Sequence, residues 1–283
     1  MKRLISLIIT GLIIALSSNG LSGQEVLRPV MNSYTLEAGT SHLTDTYLSP
    51  LKYRGQTVAF GYDRMQAMKF NPERWVMGLR IELGLDHTQN PAKNATIWGA
   101  GIAARWAMMY KLPVTQCPVN FAIGGSTGIN IGALYTTRNG NNPVAAKASW
   151  TVNLTGMATW TTRIGRLPIT LCYRPTLPLT GIFFSQGYGE LYYEIYLGNH
   201  KNLAHGAWFG NYFSLDNLAT ADLRFGATSL RIGYHNTILS TSVNHIVTRM
   251  TTHSFVLGVS GEWLGFDSRR GLSTPTRIIS AIY

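Results

Sequence analysis

The sequence predicts an all-β fold, a single antiparallel transmembrane β-barrel of about ten strands, and three observations lead there. Long segments alternate large apolar residues with small or polar ones, which is the period of a strand. Aromatic residues stand near the ends of these segments, as in the girdles of outer-membrane barrels. The opening stretch MKRLISLIITGLIIALSSNGLSGQ has the form of a secretory signal, with Lys2 and Arg3 ahead of an apolar run from Leu4 to Leu16. That run is shorter than the ~20 residues a spanning helix needs, and no later stretch reaches that length. A membrane reading therefore requires strands.

The expected organisation is a signal peptide at 1–23, a barrel at 24–264, and a tail at 265–283 that trails into the periplasm or adds a strand through RIISAIY. Charged residues are only 13% of the chain and aromatics 11%, too few charges for the exterior of an ordinary soluble domain.

The clearest strand is ASWTVNLTGMATWTT at 148–162. Its even positions carry Trp150, Val152, Leu154 and Trp160, and its odd positions Ser149, Thr151, Asn153, Thr155, Thr159 and Thr161. Trp150 and Trp160 are ten residues apart, which at roughly 3.4 Å per residue and a tilt near 40° spans about 26 Å of membrane normal. VNFAIGGSTGINIGALYTT repeats the pattern, with Phe121, Ile123, Ile129, Ile131 and Tyr135 on one side and small or amide residues on the other. Trp98, Ile102 and Trp106 line the outward face of 96–110, as Trp75, Leu79, Ile81, Leu83 and Leu85 do for 74–87. The last strand, SFVLGVSGEWL at 254–264, presents Phe255, Leu257, Val259 and Trp263 outward. Trp98, Trp106, Trp150, Trp160 and Trp263 are the expected girdle residues. A soluble sandwich also alternates, but its strands are shorter.

With the first strand running outward, the external links fall at roughly 43–55, 88–95, 137–147, 182–204 and 240–248. The opposite links are KFNPER, KLPVTQCP, GRLP and a turn around Asp216–Ala219. Ten strands result, with eight or twelve as the neighbouring even counts.

The same parity points Glu37, Asp63, Arg80, Glu82, Asp86, Arg105, Arg174, Arg231, His235 and Glu262 into the interior. Enclosed charges persist when they pair. Two readings follow: a salt-bridge network that largely closes the passage, or a selective pathway or ligand pocket.

The net charge of +11 falls to +9 without Lys2 and Arg3. Lys69, Arg74, Lys111, Arg163 and Arg166 cluster at the periplasmic turns, where anionic lipid headgroups are the expected partners. Export makes nucleic acid an unlikely target. Ser41 beside His42 and His253 beside Ser254 resemble fragments of a hydrolase site, but adjacent strand residues face opposite ways. His200 and His205 lack the company of a metal site, so no metal or cofactor is expected. Their loop, YGELYYEIYLGNHKNLAHGAWFGN, is expected to fold over the barrel mouth, meet an external ligand, or pack on itself. Cys117 and Cys172 both lie towards the periplasmic end; export permits a disulfide, although strand spacing opposes it.

TYLSPLKYRG at 46–55, FGATSLRIGY at 225–234 and VNHIVTRMTTHSFVLGVSGEWL at 243–264 resemble segments of an exported Gram-negative protein family of unknown function. The resemblance spans most of the exported chain and implies an outer-membrane barrel, without naming a functional residue. An aromatic-ended last strand also suits the barrel-insertion machinery as a partner. The expected role is a small pore, a ligand-binding protein or a structural membrane component. The alternatives are a lipid-modifying outer-membrane enzyme and a soluble secreted β-protein.

Overall fold

The computed structural model describes residues 26–113, 118–140, 142–226, 228–263 and 277–282. Ten long strands dominate it: β1 Val30–Asp45, β2 Ser49–Ala67, β3 Trp75–Gln89, β4 Thr96–Lys111 and β5 Val119–Thr136. They continue as β6 Val144–Ile164, β7 Leu167–Phe184, β8 Tyr212–Phe225, β9 Thr228–Val243 and β10 Ile246–Trp263. Each pairs antiparallel with its sequence neighbour, and β10 returns to β1 from Thr248↔Asp45 to Trp263↔Val30. The sheet thus closes into a barrel in which every long strand has a neighbour on both sides; β7 and β8 pair only over Ile169–Thr176, and Gly181–Phe184 pair instead with a short strand at Ala204–Ala207.

The outside carries apolar residues in the open. Leu36, Leu85, Ile131, Phe255 and Leu257 are each about half exposed or more, at 67%, 57%, 56%, 59% and 48%. Trp98, Trp106, Trp150, Trp160 and Trp263 all project from this face. Trp98 pairs with Tyr135 across β4 and β5, and Trp75 with Tyr110, their rings 5.3 Å apart. Buried positions are the alternate ones, pointing inward, and they are mostly polar or small.

Five links lie at one end, called here the loop end: 46–48, 90–95, 137–143, 185–211 and 244–245. The turn end holds 68–74, 112–113 with 118, 165–166 and 226. The expected external links 43–55 and 240–248 are therefore mostly strand. The first closes in three residues, and the second is a two-residue turn with Asn244 and His245 at φ of 53° and 60°, as a tight hairpin of the twisted sheet requires. The turn expected around Asp216–Ala219 is also corrected. Those residues lie within β8, and the chain reverses ten residues later at Gly226, where φ is +69°.

A bulge sets β7 against β6 between Val152 and Asn153, beside Pro178, which has no N–H to give the ladder. It shifts the inward parity of β7 from Cys172 and Arg174 to Gly181 and Phe183, and so brings Phe183 inside.

The expected signal segment at 1–23 and Cys117 lie outside the described residues. Val26–Leu27 and Arg277–Ile278 form a short parallel ladder of their own, so among the described residues of RIISAIY the strand is Arg277–Ile278. Ser280, Ala281 and Ile282 belong to the barrel unit and are buried in it.

Candidate functional site

The interior is the site, and it has three levels. Inward side chains from β1, β2, β3, β7, β8 and β9 meet in the middle because closure brings distant strands face to face. Arg80 on β3 is the hub. Its Nη1 donates to Asp63 at 2.6 Å, and its Nη2 to Glu37 at 2.6 Å and Glu82 at 2.8 Å. The second oxygen of Asp63 accepts from Arg174 at 2.6 Å. Arg231 forms a two-point pair with Asp222 at 2.7 Å for each bond and donates to Ser33 at 2.6 Å. Nδ1 of His235 meets Glu37 at 2.6 Å, while its Nε2 faces Asp216 at 3.5 Å. Arg105 reaches Asp216 from the opposite wall at 3.0 Å. Pairing of this density is what makes so many charges tolerable within one lumen.

All ten residues expected inside do point inward. Glu37, Asp63, Arg80, Glu82, Arg105, Arg174, Arg231 and His235 share the middle network. Asp86 sits apart from it, towards the loop end. Glu262 lies near the turn end against Ser280. Asp216 and Asp222 are essential members that the sequence reading missed. The signal was present, since Tyr212, Ser214, Asp216, Leu218, Thr220 and Asp222 keep one parity, but Asp-Asn resembled a turn. A further pair, Lys147 to Asp45 at 2.6 Å, closes the wall nearer the loop end.

Below the network, Met31, Met65, Val76, Met109 and Met157 fill the turn end together with Ala281 and Ile282. The C-terminal residues are fastened there. Lys111 donates to the Ser280 carbonyl at 2.9 Å, and Thr159 to that of Ile282 at 3.4 Å. Lys111 thus points inward, not towards headgroups as its position suggested. Cys172 lies in the same cluster as a buried free thiol, while Cys117, the other half of the possible disulfide, lies outside the described residues.

Above the network, a cup of about 300 Å³ opens towards the loop end. Gly84, Gly101 and Ala103 hollow one wall; Phe183, Tyr212, Leu239 and Met250 form the other. The loop 185–211 crosses the mouth. Tyr47, in the β1–β2 link, donates to the Glu190 carbonyl at 2.8 Å, and Tyr192 accepts from the Ala146 amide at 2.6 Å. Burial, with Tyr192 and Glu190 close by, pushes the Tyr47 hydroxyl above its usual range, so it remains a donor.

Two chemistries can be weighed directly. Glu37, Glu82 and His235 lie close enough to hold a cation, but Arg80 already occupies both carboxylates. Ser41 and Ser254 point inward while His42 and His253 point out, so neither adjacent pair meets. Ser254 does stand opposite His235 across the ladder, yet both ring nitrogens of that histidine face carboxylates.

Among solved structures, the chain is similar to the translocator domain of the autotransporter NalP from Neisseria meningitidis, at 8% identity over 93% of this chain and 96% of that one, with a TM-score of 0.36. It is also similar to the beta domain of the Bordetella autotransporter BrkA, at 10% identity, coverage of 83% and 100%, and a TM-score of 0.35. For Neisserial surface protein A the figures are 10%, 82% and 97%, and 0.29. No curated protein matches. A family profile described as "Protein of unknown function (DUF3316)" matches residues 4–270, nearly the whole chain, and the protein belongs to that family.

Proposed function

We propose that this protein is an outer-membrane barrel with a lumen closed to ion flow, working as a small-ligand binding protein rather than a pore. The observation that carries the reading is the double seal. The charge network fills the middle of the lumen, and the methionine cluster with Ala281 and Ile282 fills the turn end. A conducting pore of ten strands would need both displaced.

The exposed apolar belt supports a lipid surround, because side chains such as Phe255 and Trp263 gain nothing from water. The signal-like N-terminus supports export, and Lys69, Arg74, Arg163 and Arg166 at or beside the turn end suit anionic headgroups. Among the described residues, the inward faces offer no nucleophile with an oriented base, which favours binding over lipid hydrolysis.

The test is conductance in a planar bilayer, with protein shown to be folded by its faster migration on a gel before boiling. Silence is expected across a range of voltages. Discrete, ion-selective steps from folded protein would overturn the closed-lumen reading.

A further inference from the structure

We propose that the loop-end cup is a binding site for a small organic cation, an ammonium carried on a compact apolar body, with Asp86 as its counter-ion. This deepens the ligand-binding reading and rests on it. The argument begins with charge pairing. Glu37, Asp45, Asp63, Glu82, Asp216 and Asp222 each meet a basic side chain within 3.0 Å. Asp86 meets none among the described residues. It is 8% exposed, lines the cup, and its Oδ1 is buried without a hydrogen-bond partner. An uncompensated buried carboxylate is costly, and a cation supplied from outside removes the cost.

The space around it fits such a guest. Asp86 stands between Thr57 and Gly99 in the ladder, and the absent Gly99 side chain is what admits its carboxylate: a Cβ there would lie 3.1 Å from Asp86 Oδ2. Next along the same strand, Gly84 faces open space, with nothing within 4 Å of where its Cβ would be. The opposite wall supplies Phe183, Tyr212 and Met250, an apolar and aromatic surface suited to the body of an amine and to its charge. At about 300 Å³ the cup lies at the small end of ligand sites, which excludes intact lipids and oligosaccharides. Its free charge is negative although the protein as a whole is +11, so the selectivity is local.

The experiment titrates phenethylammonium into the detergent-folded protein by calorimetry, with 2-phenylethanol and phenylacetate as neutral and anionic controls of similar shape. Saturable binding of the ammonium compound alone is expected. Asp86→Asn removes the counter-ion and should weaken it by about tenfold or more, and Gly84→Leu should abolish it by filling the cup. Both variants must still show the heat-modifiable folded band. Absence of saturable binding to folded wild-type protein, equal binding of the controls, or unchanged affinity in Asp86→Asn would overturn the inference. A barrel that binds no ammonium yet stays electrically silent removes this inference only; a conducting barrel removes the closed-lumen reading.

Discussion

Replacing Arg80 with Ala should be among the most damaging single changes in the interior, and the geometry sets the size of the loss. The guanidinium is 8% exposed and serves three carboxylates, Glu37 and Asp63 at 2.6 Å and Glu82 at 2.8 Å. Charge-assisted hydrogen bonds contribute roughly 1.5–3 kcal/mol each, so a simple sum over three reaches about 4.5–9 kcal/mol. That sum overshoots, because Asp63 keeps Arg174 at 2.6 Å and Glu37 keeps His235 at 2.6 Å. Only Glu82 loses its close partner, the next being His235 at 3.8 Å. The expected loss is therefore about 3–5 kcal/mol, that of breaking a buried pair from one side. The assay is reversible urea unfolding of the barrel in lipid vesicles, followed by tryptophan fluorescence. Arg80→Lys should recover only part of the loss, since one ammonium cannot span three acceptors in the same plane. Arg80→Met combined with Glu82→Gln should recover more, because it also removes the one carboxylate left without a close partner. A loss below about 1 kcal/mol for Arg80→Ala, the range of exposed pairs, would refute the buried hub.

Three further outcomes follow from the same structure. Gly39→Val should prevent folding, seen as loss of the heat-modifiable band, because a Cβ at Gly39 would lie 1.9 Å from the His253 carbonyl oxygen, whereas Gly84→Val should fold. Leu257→Arg, on the outward face of β10, should cost ~2–4 kcal/mol in vesicle unfolding if that face meets lipid; a loss under about 0.5 kcal/mol would place it in water. Ile282→Asp puts a charge into the methionine cluster and should lower stability by ~2–4 kcal/mol. It should leave the bilayer silent, since the network above remains, and discrete steps from this variant would show that the cluster, not the network, is the seal.

Alternation alone places Phe255, Leu257 and Val259 outside and Arg80, Glu82 and Asp86 inside, because along an unbulged strand residues two apart share a face. Two kinds of feature were beyond that rule. Strand ends were read too short wherever polar residues continued a strand past the apolar belt, as at Tyr53 and at Thr248, both of which remain paired in the sheet. Partner identity depends on closure. Arg231 and Ser33 are 198 positions apart and touch only because β10 joins β1. The missed Asp216 combines both failures: a turn-like dipeptide hid the strand, and its partner Arg105 lies 111 positions away on the far wall. The inward bulk of Phe183 was equally hidden, since a bulge one residue long reverses parity beyond Pro178.

The arrangement of the three levels has a consequence for how the cup can work. A lumen that conducts needs a continuous water-filled path; here the middle level is filled by side chains whose charges are paired with one another. What remains unpaired stands on the loop side of that floor, beneath a mouth crossed by the 185–211 loop. That loop is tied down at Tyr47 and Tyr192, by Asn244, whose Nδ2 donates to the Asn202 carbonyl at 2.9 Å, and by the pairing of Ala204–Ala207 with Gly181–Phe184 at the end of β7. These are neutral hydrogen bonds of about 1 kcal/mol net each, whereas the floor beneath is held by several charge-assisted bonds at once. On the proposed binding reading, a ligand therefore enters and leaves the cup at the loop end and does not pass through the barrel. This asymmetry belongs to a receptacle that fills and empties from one side.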